Sequence, residues 1–103
     1  MKLRDRLIWN ERRSIGISDR SNHSIYVTDI FFDYRRQSFE MIVYDRVDQC
    51  PKILILNQEN EQSSFVSSLL DPEKIIILGS LHDSIFRHFE DNINEILDEE
   101  YGE

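Results

Sequence analysis

The stretch IYVTDIFFDY, residues Ile25–Tyr34, decides the fold. It is dense in β-branched and aromatic residues, which favour a pleated, half-buried surface. With a period of two, Tyr26, Thr28, Ile30, Phe32 and Tyr34 fall on one face. Ile25, Val27 and Phe31 fall on the other, together with Asp29 and Asp33. This pattern predicts a strand over 25–34 with one well-buried face and one partly covered face, and so a sheet at the centre of the molecule. Arg35, Arg36 and Gln37 make a polar break. Phe39, Met41, Val43 and Val47 then alternate with Glu40, Tyr44 and Arg46, interrupted only by Ile42. A second strand returning as a hairpin follows.

Downstream, Pro51 reads as the close of a turn. Ile53, Leu54, Ile55 and Leu56 are apolar on both faces, as in a strand covered on both sides. Asn60 or Ser63 could cap a short helix carrying Phe65, Val66, Leu69 and Leu70, ended by Asp71-Pro72. Ile75 to Leu78 predict another buried strand, stopped at Gly79. Ser80 suits an N-cap with Asp83 three residues on. Leu81, Ile85, Phe86, Phe89, Ile93, Ile96 and Leu97 form an apolar stripe of a final helix that ends near Asp98. Upstream, Leu3, Leu7 and Ile8 are compatible with a short helix within Lys2 to Arg12, or with a strand through Leu7 to Trp9. Ser18 to Asn22 read as a loop.

The expected fold class is α+β in a single domain over 1–103: a small mixed β-sheet of about four strands with two to three helices packed on it, in the order (α)βββαβα. A helix joins the last two strands, which predicts a parallel pair with a right-handed crossover. In element order alone, this resembles the core of the restriction-endonuclease-like nucleases. The resemblance implies a metal-binding acid on the second strand, here Asp45 or Asp48, and an acid-x-Lys pair on the third. The third strand does not carry that pair: two residues before Lys52 stands Cys50. The layout is shared by many small α+β folds, and the activity does not follow from it.

At 103 residues, with 40% apolar and 11% aromatic content, the chain can build one core and is not disordered. No apolar stretch long enough for a signal peptide follows the charged amino-terminal MKLRDRLIWN, and no run approaches a membrane span. One cysteine, Cys50, makes no internal disulfide and fits a reducing cytoplasm. His82 and His88, six apart on a helix, point about 240° from one another and share no ligand face. His82 is expected half-buried, as packing. Gly16, Gly79 and Gly102 form no phosphate-binding loop. No cofactor or metal is expected, and no catalytic set is visible. The dibasic pairs Arg12-Arg13 and Arg35-Arg36 are interleaved with acids, and are expected to be solvated or internally paired rather than to bind nucleic acid.

The charge is segregated. Residues 1–56 hold ten Lys and Arg against eight Asp and Glu; residues 57–103 hold two against twelve, and the chain carries −8. Glu90 to Glu103 contain seven acids and no base. Asp98, Glu99 and Glu100 crowd the negative end of the predicted helix, and no cation follows Arg87 to offset them. Such a surface repels nucleic acid and membranes and attracts basic proteins. The function expected is a non-catalytic, acidic protein-binding module, of the inhibitor or immunity type found in phage and mobile elements. Asp91, Glu95, Asp98 and Glu99 would occupy a basic, nucleic-acid-binding surface of the target. The alternatives are a minimal metal-dependent nuclease using Glu40, Asp45 and Asp48, and a homo-oligomeric structural subunit.

Overall fold

The computed structural model describes residues 1–56, 65–66 and 74–100. In chain order the elements are α1 (Leu3–Arg6), β1 (Leu7–Ile8), β2 (Ser14–Ser18), β3 (Ser24–Tyr26), β4 (Asp29–Asp33), β5 (Ser38–Asp45), β6 (Cys50–Ile55), β7 (Phe65–Val66), β8 (Ile77–Ser80), a 3₁₀ helix (Ser84–Phe89) and α2 (Glu90–Leu97). Six strands form one sheet in the order β7-β6-β5-β4-β8, with β1 beside the far end of β5, and β2 and β3 make a separate ribbon. The α+β class holds. The sheet has more than the expected four strands, and every pairing described is antiparallel.

The expected strand over 25–34 is cut in two. Thr28 has φ +83°, a conformation costly for a β-branched residue, and the chain turns there. One local and two long-range hydrogen bonds hold the turn. The Asp29 carboxylate accepts the Tyr26 N–H at 2.9 Å, the Thr28 N–H donates to the Ile42 carbonyl, and the Leu81 N–H donates to the Thr28 carbonyl. Residues before the turn pair with β2; those after it join the main sheet.

The β4–β5 hairpin forms as predicted, with Phe31 opposite Glu40 and Ile30 opposite Met41. Pro51 does not close a turn. It lies in β6 opposite Tyr44, and the reversal is made earlier, through Gln49 at φ +55°. β6 is buried from Lys52 to Ile55, as its unbroken apolar run predicts.

Two expectations fail on topology. Phe65 and Val66 are a strand paired with Leu54 and Ile53, not helix. The remainder of that predicted helix and its Asp71-Pro72 end lie outside the described residues. The predicted parallel crossover is absent as well: β8 pairs antiparallel with β4, at the opposite edge from β7. It runs through Gly79 rather than stopping there.

Both faces of the sheet are covered. Leu3, Leu7, Ile30, Met41, Leu54, Phe86, Phe89, Ile93 and Leu97 belong to the core between sheet and helices. On the other face Ile25 and Ile15 bring the ribbon onto Phe31, Ile42 and Ile53. The terminal helix opens as 3₁₀ because Phe86 and Phe89 are three apart, and a three-residue turn stacks them on one side. Their rings lie 6.3 Å apart and nearly parallel. Spacings of four, three and one from Phe89 through Ile93 and Ile96 to Leu97 then suit α-helix. Within the predicted stripe, only Ile85 faces outward, 70% exposed. His82, expected half-buried, is exposed. The helix ends at Leu97, as its charge pattern predicts.

Candidate functional site

Ser80 and Asp83 set the approach of the last helix. The Ser80 N–H donates to Asp83 Oδ2 at 2.8 Å, and the Ser80 hydroxyl accepts the His82 N–H. Phe86, Phe89, Ile93, Ile96 and Leu97 bury one side of the helix in the core. The opposite side must therefore face water. Asp91, Glu95 and Asp98, spaced four and three apart, share that side, and Glu99 follows beyond the helix end. All four are exposed.

Their environments differ. Arg4 of α1 reaches the carboxyl end of α2, where its Nε donates to Asp98 Oδ1 at 3.0 Å and its Nη2 to Asn94 Oδ1 at 3.1 Å. The hydrogen bond from Arg4 holds the Asp98 carboxyl below its ordinary range, with Lys2 adding to the effect. Next to it, the Leu3 N–H donates to the Glu99 carbonyl at 3.1 Å, and the amino terminus meets Glu100 at 3.3 Å. The cation that the helix sequence lacks thus comes from the other end of the chain. Arg4 and Asn94 were invisible as a site in the sequence, because residues 90 apart become neighbours only through the fold. By contrast Glu90, Asp91, Glu95 and Glu99 take part in no ion pair among the described residues.

Much of the positive charge is committed inside the first half of the chain. Arg12 Nη1 donates to Asp29 Oδ1 at 2.8 Å, and its guanidinium lies 4.5 Å from the Tyr26 ring centre. Arg13 sits 4.8 Å over Tyr44. Arg36 Nε lies 3.2 Å from Glu40 and 3.6 Å from Asp33. Arg6 and Lys52 converge on Asp45 and Asp48: Arg6 Nε donates to Asp45 Oδ2 at 3.0 Å and Lys52 Nζ to Asp48 Oδ2 at 2.8 Å. Burial pushes the Asp45 carboxyl up, but Arg6 and the N–H groups of Asp48 and Val47 outweigh it, so the group lies below its ordinary value. The hydrogen bond to Asp48 raises Lys52 despite its burial.

The acids weighed for a metal do not come together as a set. Glu40 and Asp45 are five residues apart on a regular strand and so occupy opposite faces of the sheet. Asp45 and Asp48 are neutralised by Arg6 and Lys52. Among the described residues, no group of three or more His, Cys, Asp or Glu is placed to hold a metal ion. Cys50 is a free thiol at the start of β6, partly exposed. No described helix is long and apolar enough to cross a membrane.

The chain matches no protein-family model, and no curated protein or solved structure shows significant similarity to it.

Proposed function

We propose that this protein is a non-catalytic binding module whose acidic α2 surface docks on a basic surface of another protein, in the manner of an inhibitor or immunity protein. The observation that carries this reading is the uneven use of charge. Arg6, Arg12, Arg36 and Lys52 are spent on internal carboxylates. Asp91, Glu95 and Glu99 stand exposed on α2 and just beyond its end, with no ion pair among the described residues. Asp91 and Glu95, four apart, repel one another at a cost of roughly 0.2–0.5 kcal/mol, which the isolated protein gains nothing from bearing. A cationic surface would convert that repulsion into attraction. The target fitting such a stripe is one that ordinarily binds the phosphates of nucleic acid, with carboxylates taking their place.

Asp98 belongs to the Arg4 contact and should be left intact in any test. Wild type and the triple variant Asp91→Asn, Glu95→Gln, Glu99→Gln are used as baits in extracts of the native host, and retained proteins are identified by mass spectrometry. A basic nucleic-acid-binding protein held by wild type, displaced by added heparin and lost with the triple variant supports the reading. Retention of the same proteins by both baits contradicts it.

A further inference from the structure

The turn between β4 and β5 gathers three ionisable groups and a hydroxyl around one buried carboxylate. Glu40 is fully buried. Its Oε2 accepts the Ser38 hydroxyl at 2.9 Å and Arg36 Nε at 3.2 Å, while its Oε1 has no hydrogen-bond partner among the described residues. Asp33 closes the group. Its Oδ1 accepts the N–H of Arg35 at 2.8 Å and of Arg36 at 3.3 Å, and its Oδ2 lies 3.6 Å from Arg36 Nε. Across the strands, Glu40 faces Phe31 of β4 and Ile55 of β6, and no described residue of β6 brings a charge to that face. Arg35, 74% exposed and 3.9 Å from Asp33, is the outer member of the cluster.

One guanidinium thus serves two carboxylates, one of them shut away from water. A buried carboxylate with an unpartnered oxygen is costly, and a proton lowers that cost by removing the buried charge. Burial is the main reason the Glu40 carboxyl is pushed up to about 7; Ser38 and Arg36 act against it, and the charge of the neighbouring Asp33 carboxylate adds to it. Asp33 and Arg36 retain some exposure, 13% and 23%, so the proton can exchange with water without global unfolding.

We propose that buried Glu40 carries a proton below neutral pH, and that its release to water loosens the Arg36-centred turn closing the β4–β5 hairpin. Below the midpoint, neutral Glu40 no longer competes with Asp33 for Arg36. Above it, two carboxylates repel one another and compete for the same cation, and hydration of Glu40 requires the turn to open.

The test is a residue-resolved NMR titration of side-chain carboxyl carbons in wild type and Asp33→Asn, with amide-exchange protection measured at Arg35 and Arg36. In wild type, Glu40 should titrate near 7, and protection at both amides should fall severalfold through the same midpoint. In Asp33→Asn, whose amide oxygen can still accept the two turn N–H groups, the midpoint should drop by about one unit. A Glu40 midpoint in the ordinary carboxylate range overturns the proposal. So does a midpoint unmoved by Asp33→Asn, or protection that stays level through the titration. Should Asp33→Asn not fold, the wild-type midpoint and exchange profile decide the matter alone.

Discussion

Three buried carboxylates set how the molecule responds to pH. Burial pushes Asp19 up, but N–H donors from Ile77, His23 and Ser21 outweigh it, and the group lies below its ordinary value, as does Asp45. A depressed carboxyl stabilises the fold above its unfolded-state value and loses that contribution as pH falls. Glu40 has the opposite sign. Its folded value, about 7 against 4.5, gives a contribution present below about pH 4.5 and lost as pH rises through about 7. Denaturant unfolding should therefore show stability rising from acid pH and then declining from about pH 5 to 8, by up to roughly 3 kcal/mol. Glu40→Gln should flatten the alkaline decline; an equal decline in that variant would remove Glu40 as its source. At the other end of β5, Arg6→Gln withdraws the shortest ion pair from fully buried Asp45 and should cost about 3 kcal/mol, measured by the same method. Asp45 and Asp48 stand out in the sequence as candidate acids for metal chemistry. Their actual role as a structural cluster depends on Arg6, 39 residues before Asp45, and no local pattern reveals it.

Elements whose pattern is long and regular were legible. The β4–β5 hairpin, the doubly buried β6 and the stripe of the last helix follow from period two, an unbroken apolar run and helical spacing. Short elements were not. β2 offers Ser14, Gly16 and Ser18 beside two isoleucines and has no distinctive pattern, and the break at Thr28 is hidden because Ile25, Tyr26, Val27, Ile30 and Phe31 favour strand and Asp29 alone interrupts them. Phe65-Val66 has apolar neighbours at helical spacing, yet pairing with β6 prevails. Edge strand β8 is guarded by acids, with the Ile77 N–H taken by Asp19 and the Ser80 N–H by Asp83, which hinders addition of another strand there. Two substitutions test the docking of the terminal helix. A methyl group on Gly79 would run into the Phe86 ring and the Asp83 carboxylate, so Gly79→Ala should cost about 1–3 kcal/mol. Phe89→Ala removes a ring packed against Phe39 and Phe86 and should cost about 3–5 kcal/mol. Thermal melts within a degree or two of the parent would contradict the packing described.

Across the whole molecule, the division of charge is legible in the sequence, because it requires only counting. What the count hides is the contact that ties the two ends together. Arg4 pairs with Asp98, and the Glu99 carbonyl receives the Leu3 N–H, so part of the acidic end is structural. The remaining carboxylates on α2 are the basis of the proposed interaction. The most direct test is the association rate of the purified protein with its captured partner, followed from low to physiological salt for wild type and for the Asp91→Asn, Glu95→Gln, Glu99→Gln variant. Charge steering is screened over roughly 8–10 Å at these ionic strengths, and so acts mainly on the rate of encounter. Wild type should associate about tenfold or more faster at low salt than at physiological salt. The triple variant should lose most of that dependence while unfolding at the same denaturant concentration as wild type. Equal rates for the two proteins at every salt concentration would contradict the account, and would return the α2 carboxylates to the role of solvated surface.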